Sequence, residues 1–348
     1  MDSRVTIYDI AKETNVSAVT VHRALNNTGR ISPKTKQLIL DTAKRLGYKV
    51  NTAAQGLRRQ PIKLGAILFC PVEEYVDAII DGIAASGEEL DKYNVSVDII
   101  KIEYTNNKDC LKATCEHIKT FSGNNYNGII LFTSSFLDEM HELFALIKEV
   151  SKKGVLFATV ANNIPVEEKV IHVGINAFMA GNMAAEMLEF SCKGKDVALL
   201  VASNDSPINK KYIDGFMTYA DNNVFSNISI YEHYDDKERV VEVTKQMLQE
   251  IPNLSGIYMT TASSDLACQC IKDMNKANLS IITTDLLRET PELLRNKVAN
   301  ATIFQNPYKQ GKNVVRFLYN YITTKTDSGV HLLSPHIILS SNISSYIF

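Results

Sequence analysis

Apolar and polar positions follow two different rhythms along this chain, and the change falls near residue 60. Residues 5–47 carry apolar side chains at helical spacing in three short segments. Thr6-Ile7-Tyr8-Asp9 pairs a hydroxyl cap with an acid three residues on, and opens a helix that turns Ile10 and Ala11 inward. Asn15-Val16 breaks this helix, and Ser17 caps a second one that runs to about Leu25. Ser32-Pro33 starts a third, with Leu38, Ile39, Ala43 and Leu46 on one face and Gly47 as the stop. The pattern predicts an all-α helix-turn-helix head buttressed by a third helix.

From Pro61 on, short apolar runs alternate with amphipathic stretches, which is the rhythm of βαβ units in parallel sheets. Predicted strands are 64–70, 95–102, 128–133, 154–160, 170–174, 196–202, 228–234, 256–261, 279–284, 299–304 and 336–339. Predicted helices between them include 76–93, 137–153, 177–191 and 307–322. So many strands exceed one comfortable doubly wound sheet, so the α/β body should fold as two lobes. Ligands of such sheets sit at the carboxyl ends of the strands, here facing a cleft between the lobes.

Charge sharpens the division at residue 60. Over 348 residues the formal charge is only −2, but residues 1–62 hold eleven basic against four acidic side chains, a net of +7, and the rest hold 26 against 35, a net of −9. A basic head joined to an acidic body points to a polyanion as the head's partner. Double-stranded DNA fits, because the outer face of the second helix can enter a major groove. On that face Arg23 can pair bidentately with guanine, and Ala18 and Val19 can meet a thymine methyl. Ser17, Thr20, His22 and Asn26 are placed for phosphates, which position a protein without reading sequence. Val21, Ala24 and Leu25 fall on the opposite face, toward Ile10 and Ile39.

Other chemistries find no foothold in the sequence. The start of the chain carries no apolar export segment, no run reaches the length of a membrane span, and the reading is a cytoplasmic, nucleoid-associated protein with no membrane partner. Six cysteines show neither zinc spacing nor the density of a disulfide scaffold, and Cys268-x-Cys270 is too close for an ordinary clip. Seven histidines are scattered singly, with no nucleophile elbow, P-loop or glycine-rich dinucleotide fingerprint. No enzyme, cofactor or metal site is expected.

Val5-Thr6-Ile7-Tyr8-Asp9-Ile10-Ala11 and the run Val16 to Asn26 resemble the head of the lac repressor (LacI/GalR) family of bacterial transcription regulators. The match continues through Ser32-Pro33-Lys34-Thr35 and Leu46-Gly47-Tyr48 to Asn51-Thr52-Ala53-Ala54-Gln55-Gly56-Leu57. The resemblance implies a DNA-binding head over 1–50, with Thr6, Tyr8 and Thr35 joining the second helix at the DNA, and a hinge helix and linker over 51–61. In that hinge Asn51 is the cap and Leu57 the residue wedged into a minor-groove base step, with Ala54 and Gln55 beside it; Gly56 departs from a good helix former. Residues 62–348 then form a two-lobed, periplasmic-binding-protein-like type I domain that binds an effector and dimerises. The expected N-lobe is 62–161 plus 288–325 and the expected C-lobe 162–287 plus 326–348.

In the body, the blocks Val173 to Gly181 and Ile281 to Asp285 resemble motifs of the family's effector domain, and Thr302 to Gly311 is similar to sugar-binding proteins of the ribose and galactose type. The resemblance makes Asp285 and Gln305 hydrogen-bonding groups for ligand hydroxyls and Tyr75 a stacking plate, with Asn176, the Thr133-Ser134 turn and Tyr212 as further candidates. Three positions depart from the family: Glu73-Glu74-Tyr75-Val76 replaces Asn-Pro-aromatic-aromatic, Tyr212 stands where an Arg precedes Gly-Phe, and Ser263-Ser264 replaces Asn-Asp. Lys210 or Lys211 can instead engage a carboxylate or phosphate. The function implied is a homodimeric repressor binding a pseudo-palindromic operator, its affinity set by a sugar or related polyol. A solute-binding protein of a sugar transport system and a regulator with a non-sugar effector are the alternatives.

Overall fold

A computed structural model describes residues 5–25, 31–48, 60–133, 140–221, 223–234, 236–276 and 278–346. The chain divides into two units, Met1–Gln60 and Pro61–Phe348.

The first unit holds α1 (Ile7–Thr14), α2 (Ala18–Leu25) and α3 (Pro33–Arg45). Each starts where side-chain oxygens replace the missing intrahelical partners. The Asp9 carboxylate takes both the N–H and the hydroxyl of Thr6 at 2.7 Å, and these bonds hold its pKa below the ordinary value. Ser17 Oγ accepts the Thr20 N–H and Ser32 Oγ accepts the Thr35 N–H, both at 3.1 Å. Asn15 ends α1 in the left-handed region at φ 55°, a conformation Asn tolerates better than most residues. Ile10, Val21 and Ile39 are wholly buried at the centre, with Ala11, Ala24 and Ala43 around them. Leu38 departs from expectation: it is 50% exposed. The buried line of α3 runs through Ile39, Thr42 and Ala43, and three short helices cover only that narrow stripe.

The second unit contains two six-stranded sheets. The first has the order β11-β5-β4-β3-β1-β2, all parallel, built from β1 (Ile62–Leu68), β2 (Val95–Lys101), β3 (Gly128–Phe132), β4 (Leu156–Val160), β5 (Lys169–Ile175) and β11 (Gly329–Leu333). The second has the order β12-β10-β9-β8-β6-β7, from β6 (Asp196–Val201), β7 (Asn227–Glu232), β8 (Leu254–Met259), β9 (Ser280–Thr284), β10 (Ala301–Phe304) and β12 (His336–Ile338). Only β12 runs antiparallel, with Thr302 opposite Ile338.

Helices cover both faces of each sheet, as parallel strands require. On the first sheet α4 (Glu73–Asp91) and α12 (Pro307–Thr324) share one core with Leu64, Ala66 and Ile130, while α5 (Asn107–Gly123) and α6 (His141–Ser151) pack on Ile67, Ile129 and Phe157 of the other face. On the second, α7 (Ala177–Cys192) and α8 (Pro207–Ala220) cover Val197, Leu199 and Tyr258. The helices α9 (Lys237–Glu250), α10 (Ser264–Asp273) and α11 (Thr290–Arg295) cover Ala198, Leu200 and Ile257. One close helix pair in each lobe meets backbone to backbone. A Cβ on Gly82 would lie 2.0 Å from the Tyr308 carbonyl oxygen, and one on Gly181 would lie 2.0 Å from that of Tyr212. Only glycine fits either crossing.

The lobe boundaries differ from the expected ones in three places. β5 pairs with β4 and belongs to the first sheet, α11 and β10 belong to the second lobe, and β11 returns to the edge of the first sheet. The chain therefore crosses between lobes after Ile175, after Phe304 and after Leu333. Strand pairing decides this: β10 completes the second sheet against β9, through Ala301 opposite Ile282, before the chain crosses back into α12. β11 was not among the predicted strands, because an edge strand that starts at Gly329 and leaves Val330 58% and Leu332 46% exposed has no apolar run to mark it. No described helix is long and apolar enough to cross a membrane.

Candidate functional sites: the α2 face and the interlobe cleft

On the head, the outer face of α2 is open as the helical spacing predicts. Val19 is 59% exposed, Ser17, His22 and Arg23 are exposed, and Ala18 and Thr20 are half-buried. Tyr8, 71% exposed, and Thr6 stand on α1, and Thr35 lies half-buried in the first turn of α3. Several hydroxyls in this set already have partners: Ser17 with Thr20 at 2.8 Å, Ser32 with Thr35 at 2.7 Å, and Thr6 with Asp9. They brace helix starts, with the N–H groups of Thr6, Thr20 and Thr35 bonded within the same turns. Asn26, Asn51, Ala54, Gln55, Leu57 and Ser134 lie outside the described residues.

In the body, the strand ends gather Tyr75, Asp285 and Gln305 into one hydrogen-bonded cluster. Gln305 Nε2 donates to Asp285 Oδ2 at 2.7 Å, and the Tyr75 hydroxyl donates to Gln305 Oε1 at 3.4 Å. Gln310, wholly buried on α12, donates from Nε2 to the Tyr75 hydroxyl at 3.2 Å and to the Gln305 carbonyl at 2.9 Å. Asp285 follows β9 in the left-handed region at φ 70°, held by its N–H on the Ile303 carbonyl and by Thr302, whose hydroxyl donates to the Asp285 carbonyl at 2.6 Å. This backbone kink points its carboxyl at Gln305 rather than along the strand.

The electrostatics of the cluster are those of a dry site. Burial raises the Asp285 carboxyl to about 7, against which its bonds to Gln305 act. Burial also pushes Tyr75 and Tyr212 well above the ordinary phenol value, with the Asp285 charge adding to both. Tyr258 moves the same way, its ring edge on Tyr212 at 6.3 Å and its hydroxyl near Thr284. Three buried polar atoms here have no hydrogen-bond partner among the described residues: Asp285 Oδ1, the Tyr212 hydroxyl and Gln310 Oε1. Buried groups of this kind cost free energy until something supplies the missing bond. Two acceptors and a phenol can take the hydroxyls of a small polar ligand.

The remaining candidates take other parts. Tyr75 is 8% exposed, its ring tilted on Phe132 at 5.9 Å, so it offers a hydroxyl instead of the expected stacking face. Asn176 caps α7 by accepting the Met179 N–H at 3.0 Å. Thr133 is buried, and its carbonyl accepts from Asn162 at 2.8 Å, which ties the ends of β3 and β4 together. Gln310, Tyr258 and Thr284 are not among the expected residues; Gln310 and Thr284 lie in the quoted blocks 302–311 and 281–285, while Tyr258 sits on a strand that reads only as core. Across the cleft, Glu74 Oε2 accepts the Arg288 N–H at 2.7 Å and Glu74 Oε1 faces Arg288 Nε at 3.4 Å, so the residues replacing the expected Asn-Pro join the two lobes.

Known proteins match both parts of the chain. The family described as bacterial regulatory proteins, lacI family, matches residues 6–51, and the periplasmic binding protein domain matches residues 69–326, well over half of the chain. The HTH-type transcriptional regulator pepR1 of Lactobacillus delbrueckii subsp. lactis is 24% identical over 96% of this chain and 96% of its own length. Catabolite control protein A of Priestia megaterium is 25% identical over 96% of this chain and 97% of its own. Among solved structures, GanP, a glucose-galactose binding protein from Geobacillus stearothermophilus, covers 82% of this chain and 99% of its own with a TM-score of 0.70 at 20% identity.

Proposed function

We propose, for a chain that belongs to the lacI family of bacterial regulatory proteins and carries a periplasmic binding protein domain, that it represses transcription from a pseudo-palindromic operator under the control of a small molecule. It is a transcription regulator and not an enzyme. One observation carries the finer reading: in a single chain, a +7 head with an open recognition-helix face precedes a cleft with three buried polar atoms that have no hydrogen-bond partner among the described residues.

Two copies related by a two-fold axis place two heads on half-sites of a near-palindrome, with Arg23 reading a base edge in each. Leu57 of the hinge segment opens a central step of the minor groove, and Ala54 and Gln55 flank it. A segment of seven residues containing Gly56 is marginal as a helix alone, so its order follows the spacing that the bodies impose. The effector acts on that spacing. It binds the operator-competent and incompetent arrangements unequally, and the difference is the coupling free energy. The site of action is the cytoplasm, where operators are.

Asp285, Gln305, Tyr75 and Tyr212 take the effector's hydroxyl groups. GanP, a glucose-galactose binding protein of the same fold, supports a sugar or related polyol as the effector. The transport role of a binding protein alone leaves the head without work. The test is a footprint of the purified protein on its own promoter region, followed by anisotropy titrations of the protected duplex and a scrambled one across a salt series. The proposal expects a symmetric footprint and at least thousandfold preference for the protected duplex. Equal binding to both duplexes rejects it.

A further inference from the structure

The cleft holds a cavity of about 160 Å³ with walls from both lobes, lined by none of the residues of the hydrogen-bonded cluster. Asn162, Asn163 and His172 line it from the first lobe, and Pro207, Ile208 and Lys211 of α8 from the second. Its charge runs against that of the body around it. Residues 63–348 carry a net −9, yet no carboxylate lines this cavity among the described residues. The groups that lower the His172 pKa electrostatically are Lys169, Lys211 and His331, all basic.

Much of the wall is apolar, from Ala161, Ile164, Ile175, Ile208 and Leu332, and its polar groups are neutral or basic. His172 is 3% exposed, its Nδ1 bonded to Thr159 Oγ1 at 2.9 Å, and burial drives its pKa down to about 3, so the ring stays neutral. The half-buried ammonium of Lys169 donates to Asn163 Oδ1 and, at 2.7 Å, to the Ile164 carbonyl, so Asn163 stands beside a fixed positive charge. On the opposite wall, α8 begins at Pro207; the hydroxyl of Ser206 just before it, behind the cavity lining, is buried with no hydrogen-bond partner among the described residues. The start of this 14-residue helix is the positive end of its dipole, and Lys211 stands one turn in.

We propose that this cavity receives the oxyanion group of a small organic acid, a carboxylate or a phosphate monoester, held by Lys211, the first turn of α8 and the two asparagines. The inference rests on the cleft being the effector site and names the effector's class: a hydroxylated acid, not a neutral sugar. Lys211 is exposed and lines the cavity, whereas its neighbour Tyr212 points into the core of the second lobe, so the oxyanion is held apart from the Tyr212 hydroxyl. Lys211 is the one charged residue among the described residues that line the cavity, and no carboxylate stands opposite it, so an anion supplies the counter-charge.

The experiment is a thermal-shift titration of the full-length protein with gluconate, glucuronate, glucose 6-phosphate, glucose and inorganic phosphate. Wild type is compared with Lys211→Gln and with Lys210→Gln, whose side chain does not line the cavity. The expected result is a salt-sensitive rise in Tm with at least one organic anion and none with glucose at the same concentration. Lys211→Gln should weaken that anion about tenfold, roughly the loss of one charge-assisted hydrogen bond, and Lys210→Gln should not. The carboxylates against the phosphate ester identify the oxyanion, and a shift with inorganic phosphate that Lys211→Gln removes supports the same site. A shift with glucose that Lys211→Gln leaves intact, or no shift with any anion, overturns the proposal. An anion that raises Tm without changing operator affinity leaves the cavity assignment standing and defeats the effector reading instead.

Discussion

Asp285→Asn isolates the electrostatic cost stored in the cleft. The folded protein holds this carboxyl at about 7 because burial disfavours its charge, while the ordinary value is 3.8. Between those values the folded state binds the proton and the unfolded state does not, so this group's contribution to stability falls as pH rises through the window and levels off above 7. At 1.36 kcal/mol per unit, the penalty grows by about 2–3 kcal/mol between pH 5 and pH 8. Two buried histidines act in the opposite sense, since His172 at about 3 and His233 at about 4 must stay neutral in the fold. The wild-type curve alone mixes these effects, and the difference between wild type and Asp285→Asn separates them. The amide keeps an acceptor for Gln305 and carries no charge. Urea unfolding of the full chain, followed by circular dichroism at pH 5, 6, 7 and 8, should show the variant gaining about 2–3 kcal/mol on wild type across that range. A difference that does not change with pH refutes the reasoning, because it would mean that Asp285 ionises in the fold as it does in water. The same linkage makes a hydroxyl donor to Asp285 Oδ1 bind more tightly as pH rises toward 7.

Other perturbations probe separate links. The stability supplied by neutral His172 is complete above its ordinary value of 6.5 and drains away as pH falls toward 3, so His172→Gln should flatten the acid limb of the unfolding curve; an unchanged limb contradicts this. Gly181→Ala puts a Cβ 2.0 Å from the Tyr212 carbonyl oxygen and should cost about 1–3 kcal/mol or more by thermal denaturation, while Gly123→Ala, with nothing within 4 Å, should cost little. Leu57→Ala should weaken operator binding at least tenfold in anisotropy titrations while Tm stays put; equal affinity removes the wedge role.

The head was legible because its information is local. Thr6, Ser17 and Ser32 cap helices within three residues of themselves, and Ile10, Val21 and Ile39 meet because helical spacing alone brings them to one side. Leu38 escaped because exposure depends on how far neighbouring helices reach, which spacing does not contain. In the body, the alternation of strands and helices was readable, but membership of a sheet is a pairing over long separations. β5 and β11 join the first sheet, and β10 the second, through partners that no local pattern names. The site divides the same way. Asp285 and Gln305 stand at strand ends within recognisable blocks, whereas Gln310 reaches Tyr75 across 235 positions and the His172–Lys211 cavity exists only once two lobes face each other.

The central claim is that a ligand in the body sets the grip of the head on DNA. Its most direct test is the operator Kd of the full-length protein, measured by anisotropy at fixed salt with and without the compound that most raises Tm. The account predicts a change of about 5- to 150-fold in either direction, and the reciprocal change in ligand affinity when operator is present. A ligand that stabilises the protein yet leaves the operator Kd unchanged contradicts it.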